Sequence, residues 1–380
     1  MKIPFFKPWI STEDIKYVCN TLNQRWLTNG PQLKKFEKNF SRFIQSKFSI
    51  GVGSATHALH LAVKSIGVAQ GDEIILPTFT FAATLNSVLY SGAKPVLVDV
   101  DPFTFNISPN EIIKKINKKT KAIIPVHYGG QSCDMQTILK IARKYHLDVI
   151  EDCAHALGSK YGKNYCGTFG KAGCFSFYPT KIITTGEGGM VSTNDSKIFK
   201  QVSLLKSHAM TVNAVDRESK ASWKYDIMDL GYNYRLDEIR SSLGISQLKR
   251  IRKTNQMRVA IAKKYDSLLN DIPGLITPKI APNRNHIYHL YTIKITEDFP
   301  ISRDELFSAL HKKGIGTSVQ YFPLHLMSFY KKILNPKKTD FKIANILKDQ
   351  VLSLPIFPQM TVQQINYVSS TIQKLANSKK

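Results

Sequence analysis

Between residues 50 and 200, short runs of β-branched and other apolar residues alternate with stretches whose apolar positions recur every three or four residues. That rhythm predicts strands joined by crossover helices. The strand expectations are 73–76, 95–100, 121–126, 147–152, 174–178 and 189–193, with a short first candidate at 48–52. Helices are expected over 57–66, 84–91, 109–116, 135–145 and 196–205. Most of these strands are apolar without alternation, as in a sheet covered on both faces, so the first expectation is an α/β fold with a mostly parallel central sheet.

Past residue 240 the texture changes. The segment 243–269 reads as one long basic helix or two. Strands are expected at 286–295 and 315–322, a helix over 302–313 opened by a capping box of Ser302 and Glu305, and a last helix after Thr361, with Gln364 completing a second box. This strand and helix alternation predicts a smaller C-terminal α+β domain, residues 251–380, after a large domain spanning 1–250.

Composition narrows the class. With 380 residues, 43% hydrophobic and 21% charged, the chain is of globular type and long enough for two domains. Lys plus Arg number 53 against 28 acidic residues, a net charge of +25 that favours phosphorylated ligands or polyanions. The basic stretches, 114–121, 249–253 and 331–338, are scattered and lack interleaved aromatics, so nucleic acid is not the expected partner. Five cysteines, Cys19, Cys133, Cys153, Cys166 and Cys174, include no CxxC pair, which argues against a zinc site and for a reducing, cytoplasmic setting. No apolar stretch has the length of a signal peptide or membrane span, so neither secretion nor membrane insertion is expected.

Three segments carry candidate chemistry. In SFYPTKIITTGEGGM, 176–190, Lys181 stands between a strand and a turn of small residues, where partial desolvation would free its amine to form a Schiff base; a plain surface lysine is the alternative. In LDVIEDCAHALG, Asp152 falls at the carboxyl end of a strand, where α/β sheets bind ligands, and could face a protonated pyridine nitrogen or simply cap the next helix. His155 could lie against a bound ring or be a satisfied core histidine. In GVGSATHALHLAV, 51–63, Ser54, Ala55 and Thr56 open a helix whose free N–H groups suit one phosphate.

Those segments, with WLTNGP at 26–31, PTFTFAAT at 77–84, KAIIPVHYGG at 121–130, GYNYRLDEIRSSLGISQLK at 231–249, the run 303–325 and LSLPIFPQMT at 352–361, resemble the DegT/StrS family of pyridoxal-phosphate-dependent sugar aminotransferases over nearly the whole chain. The resemblance implies the fold type I architecture of aspartate aminotransferase and pyridoxal 5'-phosphate as cofactor. It implies that Lys181 forms the Schiff base and shuttles protons, that Asp152 pairs with the ring nitrogen, and that His155 lies near the ring. Phe81 would stack on the ring, and Ser54, Ala55, Thr56 and Ser176 would meet the phosphate. Asn233 would reach the phosphate from a partner subunit, which implies a homodimer with shared active sites. Thr28, Arg235, Tyr321 and His325 fall in motifs that line the sugar-nucleotide cleft of relatives. Three positions depart from the common pattern: Ala55 stands where many members have glycine, and Tyr178 and Gln320 each stand where many members have histidine.

The activity implied is ping-pong transfer of an amino group from an amino acid, expected to be L-glutamate, to a nucleotide-diphosphate keto sugar. C4 of a UDP- or GDP-linked 4-keto-6-deoxyhexose is the first expectation, and a dTDP-linked 3- or 4-keto sugar the alternative. Relatives that act as sugar dehydratases replace the lysine by histidine, and a non-enzymatic regulator would be expected to lack Lys181 or Asp152; this chain has both.

Overall fold

The computed structural model describes residues 1–211 and 224–377. Its central sheet has seven strands: β1 (Phe48–Val52), β2 (Glu73–Pro77), β3 (Lys94–Val98), β4 (Thr120–Ile123), β5 (Asp148–Asp152), β8 (Ala172–Ser176) and β9 (Gly189–Thr193), in the order β1-β9-β8-β5-β4-β2-β3. The run β8-β5-β4-β2-β3 is parallel, and β9 is antiparallel to both β8 and β1. Six strands therefore point the same way, and their carboxyl ends share one edge. The intervening β6 (Lys160–Tyr161) and β7 (Asn164–Tyr165) form a small separate sheet with β11 (Arg284–Asn285).

Neighbouring positions on each strand explain the unbroken apolar runs. Ile74, Leu76, Cys174 and Val191 pack in one core with the helices Ala55–Ser65, Ala82–Tyr90 and Ser196–Leu205. Ile75 turns the other way onto Pro109–Lys115 and Met135–Lys144, and Phe175 and Met190 onto Pro31–Ile44 and Glu238–Lys249. Both sheet faces are covered, so alternation carries no polar signal.

A second, antiparallel sheet of three strands, β10 (Leu275–Ile276), β12 (Tyr291–Ile295) and β13 (Val351–Leu354), shares its core with the helices Ile251–Leu269, Arg303–Lys312 and Val362–Ala376. The basic stretch 243–269 is two helices that meet at Arg250. Both expected capping boxes are present, at Ser302 with Glu305 and at Thr361 with Gln364.

Two strand expectations change. Only Tyr291–Ile295 of 286–295 is a strand; before it Tyr288 takes a left-handed φ of 51°, and the N–H groups of Ile287 and Leu290 donate to Gly130 and Gly129 rather than to a ladder. The stretch 315–322 is not a strand, because it changes partner along its length: Ile315 bridges to Ile3 and Ser318 to Ser353. The helices Thr12–Asn23 and Pro31–Ile44 were not expected, although Ser11 with Asp14 forms a capping box and Pro31 occupies the first turn.

Candidate active site

The carboxyl ends of β1, β2, β5 and β8 open into one cavity of about 450 Å3. Gly53 and Ser54 follow β1 and start the helix Ala55–Ser65, and the Ser54 hydroxyl accepts the His57 N–H at 3.2 Å as its cap. Gly189 makes room for that turn, since a Cβ there would lie 2.4 Å from the Ser54 carbonyl carbon. Ala55, Thr56 and Ser176, at the end of β8, line the same corner. A helix N-terminus flanked by hydroxyls suits a phosphate.

Asp152 ends β5 and is buried. Its Oδ2 accepts from the Thr84 hydroxyl at 2.8 Å and its Oδ1 from the Ala154 N–H at 3.1 Å. Burial nevertheless raises its pKa, and the hydrogen bonds and the positive charge of Lys181 offset only part of that. A desolvated carboxylate of this kind suits a cationic ring nitrogen. Behind it, the wholly buried Glu151 accepts N–H groups from Gly167, Phe169 and Gly170 at 2.7, 2.8 and 2.9 Å and meets His127 Nε2 at 3.0 Å. These bonds hold the end of β5 in place.

Lys181 lies in the loop between β8 and β9, and burial lowers its pKa to about 8 against the opposing pull of Asp152. His155 is buried, and desolvation together with the Lys181 charge keeps it neutral. Its Nδ1 accepts the Gly129 N–H at 3.3 Å, and its Nε2 stands 3.0 Å from the Tyr321 hydroxyl. Phe81 is 62% exposed at the cavity mouth, its ring 6.2 Å from that of Tyr321.

The cavity wall thus brings together Ser54, Ala55, Thr56, Phe81, Asp152, His155, Ser176, Lys181 and Tyr321. Thr28, Asn233 and Arg235 lie outside it. Thr28 and Asn233 are exposed, and their backbones pair with Asp237 and Ser207, while Arg235 pairs with Val52. His325 turns away from the cavity: Nδ1 is 2.8 Å from the Thr78 hydroxyl, Nε2 is 3.1 Å from Asn345 Oδ1, and the ring stacks on Phe341. Both ring nitrogens are engaged within the protein, and His325 is not part of the cavity wall.

Several wall residues were not foreseen. Phe5 and Phe6 reach the cavity from an N-terminal segment anchored by the Ile3 to Ile315 bridge, and His289 and Leu290 come from the turn before β12. Tyr178 and Gln320, which stand where many members have histidine, also face it.

The sequence profile of the DegT/DnrJ/EryC1/StrS aminotransferase family matches residues 8–373. The chain belongs to that family. Within it, the chain is 38% identical to the spore coat polysaccharide biosynthesis protein SpsC of Bacillus subtilis, over 98% of this chain and 97% of that one. It is 44% identical to an uncharacterised protein of Methanocaldococcus jannaschii, over 99% and 98% of the two chains. Among solved structures it superposes on Helicobacter pylori PseC, an aminotransferase of pseudoaminic acid biosynthesis, with a TM-score of 0.92 and 32% identity over 99% of both chains. DesV of S. venezuelae, solved with a ketimine intermediate, gives 0.91 and 29% over the full length of both. Family membership makes this chain a pyridoxal-phosphate-dependent sugar aminotransferase of the α/β fold type I class, and the helix N-terminus, the buried carboxylate and the half-buried lysine fit that cofactor.

Proposed function

We propose that this aminotransferase moves an amino group from L-glutamate to C4 of a UDP- or GDP-linked 4-keto-6-deoxyhexose, as a cytoplasmic homodimer. One observation carries the catalytic part: the buried Asp152 and the half-buried Lys181 share a cavity with the helix N-terminus at Ser54, Ala55 and Thr56. The relatives SpsC and PseC, by name a polysaccharide-biosynthesis protein and an aminotransferase of pseudoaminic acid biosynthesis, support the sugar class.

Each residue then has a task. Ser54, Ala55, Thr56 and Ser176 hold the phosphate, Asp152 keeps the ring nitrogen protonated, and Phe81 covers the ring. Pyridoxal phosphate, when bound, supplies the electron sink that makes the substrate Cα–H acidic. Lys181 is the base: its Nζ takes the Cα proton and returns it, a role suited to an amine whose pKa lies near working pH. The aromatic wall of Phe5, Phe6 and Tyr321 excludes water from that transfer. Asn233 is exposed, and the apolar Ile227, Met228 and Leu230 just before it are exposed too, which supports a second subunit seated there with Asn233 reaching its phosphate.

The test is the visible absorption of the protein loaded with pyridoxal phosphate, beside Lys181→Ala. A band that depends on Lys181, bleaches with L-glutamate and returns with one member of a panel of keto-sugar nucleotides establishes the donor and names the acceptor; a band indifferent to glutamate overturns the donor assignment.

A further inference from the structure

One turn reaches both members of the Tyr321 and His155 pair. Tyr128, Gly129 and Gly130 follow β4 as a short buried turn. Its Gly129 N–H is the donor that His155 Nδ1 accepts at 3.3 Å. Asn106 clamps the turn, with Oδ1 accepting the Tyr128 N–H at 2.8 Å and Nδ2 donating to the carbonyls of Gln131 and Ser132 at 3.3 and 3.1 Å.

The Tyr128 side chain runs from that turn to the segment that carries Tyr321. Its hydroxyl donates to the Gln320 carbonyl at 2.5 Å and lies 3.2 Å from Thr292 Oγ1 on β12, which is 2.9 Å from Ser353 Oγ on β13. Burial keeps the phenol protonated, so it stays a donor. The segment itself has few ties. Ser318 exchanges backbone hydrogen bonds with Ser353, and Leu324 N–H donates to the Thr78 carbonyl at 2.8 Å. Between those anchors, and among the described residues, the Tyr128 hydroxyl makes the one hydrogen bond to the main chain of 319–322. The carbonyl it holds belongs to the peptide that leads into Tyr321. The Tyr128 ring also stands edge-on to Tyr321, with centroids 6.2 Å apart, and lies 6.3 Å from the His155 ring. Placement matters at such a site, since an error of about 1 Å in a reacting group can cost on the order of a hundredfold in rate.

We propose that Tyr128 is a positioning residue for the amino transfer: by holding the Gln320 carbonyl, its hydroxyl keeps the Tyr321 oxygen on His155 Nε2, while its own turn holds the other side of the His155 ring. The inference rests on the reading that the Tyr321 hydroxyl serves the reaction.

Cofactor-loaded wild type, Tyr128→Phe, Tyr321→Phe and the double variant are compared in single turnover, first with L-glutamate and then with the keto-sugar nucleotide that restores the visible band. Tyr128→Phe removes one oxygen and no ring contact, which retains the fold. It is expected to slow by about tenfold the half-reaction that Tyr321→Phe slows, yet to change the Tyr321→Phe rate by less than about twofold, because both substitutions act through one hydroxyl. Tyr330→Phe is the control: it removes another buried hydroxyl, 2.7 Å from Asn86 Oδ1 and outside the cavity wall, and should lower the melting temperature without changing either rate. In crystals of Tyr128→Phe the Tyr321 oxygen should leave hydrogen-bonding distance of His155 Nε2. Wild-type rates in Tyr128→Phe, an equal loss in both backgrounds, or an intact bond from Tyr321 to His155 in those crystals overturns the assignment. If Tyr321→Phe reacts at wild-type rates, or the wild type ignores L-glutamate, the functional reading fails instead, and the crystals still decide whether Tyr128 holds Tyr321 in place.

Discussion

The phenolic oxygen of Tyr321 lies 3.0 Å from His155 Nε2, on a ring whose Nδ1 already accepts the Gly129 N–H. The ring is neutral, so its proton sits on Nε2 and is donated to Tyr321. Burial keeps the Tyr321 phenol protonated as well, and its own O–H is therefore free to point into the cavity. Tyr321→Phe keeps the ring and removes that donor. Turnover should fall by about tenfold to a hundredfold with the melting temperature nearly unchanged. Single-turnover kinetics of the two half-reactions would locate the loss, and undiminished rates in both would show that the hydroxyl meets no reacting group.

Lys181 gives a pH signature. Its pKa is lowered to about 8 from an ordinary 10.5, so the neutral amine becomes dominant above that point. Capture of pyridoxal phosphate by protein freed of cofactor should accelerate as pH rises through about 8 and then level; a rate flat from about pH 6.5 to 9.5 would contradict it. The unfolded chain binds this proton more tightly than the folded one. Stability relative to Lys181→Met should therefore decline as pH falls from 10.5 to about 8 and stay level below, which denaturant melts at several pH values would measure.

Asp152→Asn sets stability against function. The carboxylate is buried with a raised pKa, so the fold pays for its charge until a cation arrives. Asparagine can still accept the Ala154 N–H through its oxygen and can donate to Thr84. Cofactor-free Asp152→Asn should be as stable as wild type or more so, by about 1 kcal/mol, while transamination falls by at least about a hundredfold. A large drop in melting temperature would mean that the ionised carboxylate holds the strand end together.

Glu151→Gln should behave in the opposite way. An amide can replace only part of a carboxylate that meets three backbone N–H groups and His127, and its NH2 would face donors. A loss of about 3 kcal/mol is expected, seen as a lower denaturant midpoint, with weaker cofactor binding because Asp152 is the next residue. A midpoint equal to wild type would remove Glu151 as the support of that strand end.

How much was legible follows from range. Asp152 and the turn at Ser54 are legible because each sits at a strand end that local apolar runs delimit, and parallel strands then bring those ends to one edge; Lys181 lies in the loop after β8, and spacing alone leaves it open to an ordinary surface role until the family resemblance singles it out. His289 is hidden inside an apolar run that reads as ordinary strand, and its exit from the ladder depends on carbonyls at Gly129 and Gly130, far away in sequence. The turn of His325 away from the cavity is hidden for the same reason, since Thr78 and Asn345, which hold its ring, lie 247 and 20 residues away.

The cofactor corner and the remaining wall come from different sheets. Strand ends of the seven-stranded sheet carry Ser54, Asp152 and Ser176, whereas His289 and Ile356 sit beside strands of the three-stranded one, near Gln320 and Tyr321. Such a split lets the second set drift under selection without disturbing the first. Substitutions in the second set reshape the far wall while the cofactor corner keeps its own support, and the seam between the two sheets is where a redesign of the cavity would begin.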